Sequence, residues 1–341
     1  MTTFLPYLLF IVGLLLLIKG GDWFVDGAVG IAHKFNMPEL LVGATVVSIG
    51  TTLPEVMVSA GGALKGSSAI AYGNAIGSII CNTALIAAIT ITFKPSKVEK
   101  KSLITPVIFF FMAAALYVGI SYTTGTFSRL TGIILLAMFV TYMIIAIRQA
   151  VKGSKENAPA KEVAGSEPET EKESKGLNKL LDKIPEVPRF IILLVIGAAV
   201  IAVGADLLVD NGTLIATALG VPETVIALTF VALGTSLPEL VTAITSLIKG
   251  SGSLSLGNVI GANMFNMVLV SGTAITLNPF DIPVGKTIGG INASLVIDIP
   301  VMLFVMLLLT VPTLIKEKLQ RYQGIVLLLI YAAFCAFQFA F

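Results

Sequence analysis

Apolar residues along the 341-residue chain gather into ten blocks, at roughly 4–34, 39–64, 68–93, 103–121, 129–150, 189–219, 222–248, 253–277, 285–311 and 323–341. Each is long enough, as a helix, to cross a hydrocarbon core. The first and sixth are longer than a perpendicular crossing needs, which predicts tilt. Polar residues are confined to short connections, with one exception. Val151–Pro188 carries seven Lys against eight Asp and Glu and almost no large apolar residue before Leu177. Such a stretch cannot bury a core and reads as a mostly disordered linker.

A second pattern overlies the first: the chain repeats itself at an offset of 184 residues. GGDWFVDG (Gly20–Gly27) matches GADLLVDN (Gly204–Asn211), and MPELLVGATVVSIGTTLPE (Met37–Glu55) matches VPETVIALTFVALGTSLPE (Val221–Glu239). KGS recurs at Lys65 and Lys249, and GNAIGSIICN (Gly73–Asn82) recurs as GNVIGANMFN (Gly257–Asn266). Each copy holds five spans. An odd number sends the second copy into the membrane from the opposite face, so the expected fold is an all-α polytopic membrane protein, ten transmembrane helices in two inverted five-helix repeats. Residues 1–150 and 189–341 form the repeats, with motif regions at 43–82 and 227–266, and 151–188 joins them. Inverted repeats of this kind place substrate near the membrane midplane, where the copies meet.

Composition sharpens this reading. Hydrophobic residues make up 56% of the chain and charged residues 12%, about half the charge of a soluble domain. Net charge is +2, with no basic patch for nucleic acid. The N-terminal MTTFLPYLLF lacks a basic lead and a cleavage site, so it reads as the first span rather than a removable signal. One set of connections receives Lys34, the Lys94–Lys101 cluster, the 148–189 region, Lys249, Lys316, Lys318 and Arg321. The other receives Lys65, Arg129 and Lys286. The positive-inside rule puts the first set in the cytoplasm and both termini outside the cell membrane. Cys81 and Cys335 lie in apolar runs and are expected as free thiols. No nucleophile–base pair, phosphate loop or dinucleotide fingerprint appears, so neither an enzyme nor a bound cofactor is expected.

The candidate chemistry sits inside GTTLPE and GTSLPE. Pro54 and Pro238 lack an N–H, which frees the carbonyls of Gly50 and Gly234; carbonyls near Thr51 and Thr235 are loosened too. Free carbonyls at membrane depth must face protein or a wet cavity. Glu55 and Glu239 are the acidic residues deep in spans 2 and 7, and a lone carboxylate there costs about 3 kcal/mol or more. Two brought together by inverted symmetry want protons or a cation. With hydroxyls from Thr51, Thr52, Thr235 and Ser236 they suit Ca²⁺, which takes about 6–8 oxygens, or several Na⁺. Asn82 and Asn266 add amide oxygens, and Ser78 lies one turn before Asn82 on the same face. The Gly73/Gly77 and Gly257/Gly261 pairs read as close-packing positions. Glu39 and Glu223 read as helix-start groups and Asp298 as a kink-associated one, while the repeated Asp22, Asp26, Asp206 and Asp210 could attract cations at an entrance or serve in capping and pairing.

These motif pairs resemble the two α-repeats of the cation/Ca²⁺ exchanger superfamily, and most of all its prokaryotic Na⁺/Ca²⁺ exchangers. The resemblance implies electrogenic antiport by alternating access, Na⁺ in against Ca²⁺ out, nominally three for one. It implies that Glu55 and Glu239 coordinate both ions with the carbonyls of Thr51 and Thr235. Hydroxyls of Thr52, Ser236 and Ser78, with Asn82 and Asn266, would complete the Na⁺ sites, and the carbonyls of Ser48 and Ala232 would serve outer ones. It further implies that spans 1 and 6 slide as a pair across the other eight. The chain departs from the family pattern at Ala262, often Ser; at Ile79, usually Asn; and at Asn266, which is Asp in K⁺-dependent relatives. A Ca²⁺/H⁺ antiporter of the same superfamily is the alternative, though its members tend to carry an acidic residue after the GN motif. An uncoupled cation channel is the reading from a different class. Partners are the two ions and the bilayer.

Overall fold

The computed structural model describes residues 4–157, 184–218, 232–284 and 287–340. Among them are nine helices long and apolar enough to cross a membrane. Spans 1 to 5 are Leu5–Lys34, Glu39–Leu64, Ser68–Phe93, Lys100–Thr123 and Arg129–Asn157. Spans 6, 8, 9 and 10 are Glu186–Ala218, Gly252–Leu277, Ser294–Lys316 and Arg321–Ala340. The described part of span 7 is two pieces, Ala232–Thr235 and Leu237–Ile248. Residues 222–231 of that expected span, Glu223 among them, lie outside the described residues. So does 158–183, the bulk of the polar connection. Span 5 runs seven residues past Ala150, through Asn157, where Lys152, Lys155 and Glu156 are good helix formers.

Spans 3 and 8 are the innermost helices. Buried residues make up 72% and 83% of their apolar windows, against 17% for span 10. The repeated KGS motif stops spans 2 and 7 in the same way. Gly66 and Gly250 take φ of +75° and +86°, and the next amides turn back, Ser67 N–H to the Gly62 carbonyl and Ser251 N–H to that of Ser246. This is the left-handed helix stop that glycine permits.

The inverted symmetry is visible where spans 1 and 6 cross. A Cβ on Gly20 would stand 2.8 Å from Ile201 N and 3.0 Å from Gly197 O, and one on Gly204 would stand 2.9 Å from both Leu17 N and Gly13 O. The 184-residue offset turns one set of contacts into the other. Span 8 is pressed as closely on span 2: a Cβ on Gly257 would strike the Leu40 carbonyl oxygen, and one on Gly261 the Ala44 backbone and Ser48 Oγ. The close-packing reading therefore holds for these two glycines. Gly73 and Gly77 have nothing within 4 Å among the described residues. Short antiparallel pairings tie the connections at the helix ends, Thr126–Phe127 with Phe280–Asp281, and Lys97 with Lys318.

Candidate cation site

Spans 2 and 7 bring the two LPE motifs to the centre, and the chain handles the two prolines differently. Pro54 lies inside an unbroken helix, Ser48–Leu64. In span 7 the helix breaks at Ser236 (φ −92°, ψ 5°), and Pro238 sits in the first turn of the next piece, where a missing N–H is harmless. Among the described residues the backbone break is therefore on the Ser236 side alone. Spans 3 and 8 depart from regular α-geometry at the matching asparagines, with π-helical turns at Asn82–Ala87 and Asn266–Val270. Such turns widen a helix by one residue and are frequent at functional sites.

Glu55 and Glu239 are fully buried, and their charges act on one another. Among the described residues, both oxygens of each carboxylate lack a hydrogen-bond partner. The same is true of the Thr52 and Ser236 hydroxyls and of both amide atoms of Asn82 and Asn266. These six residues are three repeat pairs: 52 with 236, 55 with 239, and 82 with 266. Buried polar atoms are ordinarily bonded, so three repeat-related exceptions mark a candidate site for a ligand. Two carboxylates, two hydroxyls and two amide carbonyls present eight oxygens, the hard donor set of a Group 1 or 2 cation. No cluster of three or more His, Cys, Asp or Glu suited to a transition metal occurs among the described residues.

The hydroxyls of Thr51 and Thr235 are engaged. Thr51 Oγ1 donates to Asn258 Oδ1 at 3.2 Å, and Thr235 Oγ1 donates to Asn74 Oδ1 at 3.3 Å. Each threonine thus bonds the asparagine of the opposite repeat's GN motif. The amide N–H groups of those asparagines return to their own repeat. Asn74 Nδ2 donates to the Glu55 carbonyl at 3.0 Å and to Ser59 Oγ at 2.9 Å, and Asn258 Nδ2 to Thr242 Oγ1 at 2.8 Å. Sequence reasoning passed over Asn74 and Asn258; the signal was their 184-residue register beside the glycines. Ser48 Oγ donates to Gly43 O (2.8 Å), with Asn258 O (3.0 Å) and Oδ1 (3.3 Å) also in reach. Ser78 is buried, as is Ala262 in the corresponding place. Ala232 opens the first piece of span 7. Asp298 accepts from Gln338 Nε2 at 3.0 Å beside the π-helical turn of span 9. Glu39 faces His33 and Ser251. A cavity of about 300 Å³ between spans 1, 2, 6 and 7 reaches this region; Phe24, Gly50, Thr51, Met57, Ala202 and Pro238 are among its lining residues.

An inverted-repeat bundle whose two halves each contribute a buried carboxylate, a hydroxyl and an amide to one cluster defines a class, the intramembrane cation carriers. Within that class this chain belongs to the sodium/calcium exchanger protein family, which matches residues 5–148 and 189–340. It is 30% identical over 355 residues to the sodium/calcium exchanger MaX1 of Methanosarcina acetivorans, covering 96% of this chain and 97% of that one. It is 34% identical over 258 residues to an uncharacterized membrane protein of Methanocaldococcus jannaschii, covering 75% and 76%. Structures of the sodium-calcium exchanger NCX_Mj soaked with Na⁺ and Sr²⁺, or with Na⁺ and Ca²⁺, align with TM-scores of 0.77 and 0.75. Each is 30% identical and covers 97% of this chain and 98% of that one. The chain is a membrane exchanger of the cation/Ca²⁺ superfamily and not an enzyme.

Proposed function

We propose that the chain exchanges Na⁺ entering the cell for Ca²⁺ leaving it, nominally three for one, at a site that opens alternately to either side. Glu55 and Glu239 hold Ca²⁺ between them, and Thr51, Thr52, Thr235, Ser236, Ser78, Asn82 and Asn266 complete the Ca²⁺ and Na⁺ coordination, with the carbonyls of Ser48 and Ala232 at outer Na⁺ positions. The first repeat is 1–150 and the second 189–341. Both termini face outward and the 151–188 connection is cytoplasmic, by the distribution of Lys and Arg. One observation carries the reading: three repeat-related pairs of buried oxygen donors without a protein partner.

The coupling follows from charge. One Ca²⁺ neutralises both carboxylates, and so do two of three Na⁺; the unloaded site keeps two uncompensated charges in a low-dielectric setting. That penalty resists reorientation of the unloaded carrier and enforces exchange. The test uses the full chain in sealed vesicles, with ⁴⁵Ca²⁺ uptake driven by an outward Na⁺ gradient and then by a pH gradient alone. Na⁺-driven uptake is expected; uptake driven only by pH replaces this reading with Ca²⁺/H⁺ antiport. Undiminished uptake in Glu55→Gln and Glu239→Gln would overturn the ligand assignment.

A further inference from the structure

The 184-residue offset carries one triad of charges onto another of identical chemistry: Asp22, Asp26 and Lys249 onto Asp206, Asp210 and Lys65. Each lysine ends a span at a KGS turn. Each aspartate pair, four residues apart, shares a face of a long crossing helix.

The structure treats the two triads differently. Lys249 Nζ lies 2.7 Å from Asp26 Oδ1 and 3.6 Å from Asp22 Oδ1, and donates to the Asp22 carbonyl at 2.7 Å. These contacts fasten the end of span 7 to the middle of span 1. Packing beside them is tight: a Cβ on Gly21 would stand 2.6 Å from Val241 Cγ1 and 2.9 Å from Thr245 Oγ1. On the opposite face Lys65, Asp206 and Asp210 are exposed, with no ion pair among the described residues. Met57 and Gly61 are the counterparts of Val241 and Thr245. Met57 is 73% exposed, and a Cβ on Gly61 would meet nothing within 4 Å. The cavity that reaches Thr51 is on this side, with Met57 in its lining.

We propose that Lys249 with Asp22 and Asp26 is a latch that holds one face of the carrier shut. Lys65 with Asp206 and Asp210 is the matching latch of the opposite-facing state. The proposal rests on the alternating-access reading above. Two inverted copies of one motif adopt two environments in an asymmetric conformation, and reorientation exchanges those environments. Lys65 then reaches Asp210 and Asp206 across spans 2 and 6 while Lys249 releases span 1. Partly exposed ion pairs of this kind bias an equilibrium without locking it, as a carrier that must visit both states requires.

The test measures maleimide labelling rates in the full-length chain in detergent, where both faces are reachable. A cysteine is placed at Thr245 or at Met57, and the signal of Cys81 and Cys335 is subtracted using the chain without the added cysteine. Lys249→Gln is expected to speed labelling at Thr245→Cys about two- to five-fold and to slow it at Met57→Cys. Lys65→Gln is expected to move both rates the other way. Lys249→Arg, which keeps the charge, should leave both unchanged, and the exchange Lys249→Asp with Asp26→Lys should restore them. Equal rates in every variant, or shifts of the same sign for both lysines, would overturn the latch. Ion flux of the parent chain in vesicles separates the two ideas. Flux with unmoved labelling rejects the latch alone; opposed labelling shifts without Na⁺-driven flux keep the latch and reject the exchange reading.

Discussion

Glu55 and Glu239 carry the argument at the scale of single residues. Both are fully buried, and neither carboxylate has a partner within hydrogen-bond geometry among the described residues. Replacing either by glutamine removes a charge from a site that protein bonds do not neutralise. Without Ca²⁺, Glu55→Gln and Glu239→Gln should therefore melt at or above the parent temperature in detergent. A ligand at a hundred times its dissociation constant stabilises a fold by about 2.7 kcal/mol; the parent should gain on that order with Ca²⁺ and both variants should lose the gain, read by thermal scanning. Asn74 and Asn258 predict a loss on both counts. Truncating Asn258 to alanine leaves the Thr51 and Thr242 hydroxyls without this partner and should cost about 1–3 kcal/mol. The same variant should weaken Ca²⁺-dependent stabilisation, because Thr51 stands one turn from Glu55. The carboxylates were legible in the sequence since charge in an apolar run is conspicuous. The asparagines were not, because an amide beside glycines looks like packing until its partners across 207 and 161 residues are known.

At the scale of helices, glycine spacing forecast close approach but not which approach would matter. Gly257 faces backbone, and a Cβ there would strike the Leu40 carbonyl oxygen. Backbone cannot swing aside as a side chain can, so Gly257→Ala should destabilise by about 1–3 kcal/mol. Gly61 is the control. With open space around it, Gly61→Ala should be neutral or gain up to about 1 kcal/mol from helix propensity. Thermal scanning of the two purified variants checks both. The proline motifs show the same division. Sequence places a helix-disrupting residue in spans 2 and 7 alike, yet span 2 runs on through Pro54 while span 7 breaks at Ser236. Two identical local weaknesses in different surroundings need not fail together.

At the scale of the molecule, the proposed exchange of three Na⁺ for one Ca²⁺ would move one net positive charge per cycle. A potential of 100 mV acts on one charge by about 2.3 kcal/mol, which is about 50-fold in the Ca²⁺ gradient held at equilibrium. Clamping vesicles with K⁺ and an ionophore should shift the Ca²⁺ accumulation ratio accordingly; an indifferent ratio would mean electroneutral exchange. The polar connection predicts the opposite kind of result. Its near-balanced charge and scarcity of large apolar residues before Leu177 predict a plain tether, so replacing 158–183 by a Gly/Ser segment of equal length should leave the initial rate of Na⁺-driven uptake within about two-fold.

The sequence by itself determined the class of this protein. Apolar runs, the alternation of Lys and Arg, and a 184-residue register are one-dimensional facts, and bilayer thickness and backbone hydrogen bonding convert them into ten spans in two inverted copies. It also singled out the central carboxylates, because a charge in an apolar run is costly at membrane depth. Only the tertiary structure decided which hydroxyls remain unpartnered, Thr52 and Ser236, and which are engaged, Ser48, Thr51 and Thr235. It alone decided which of two identical charge triads is closed. The reason is geometric: inverted copies satisfy one another's polar groups across the interface, so each residue's bonds depend on a segment far away in the chain.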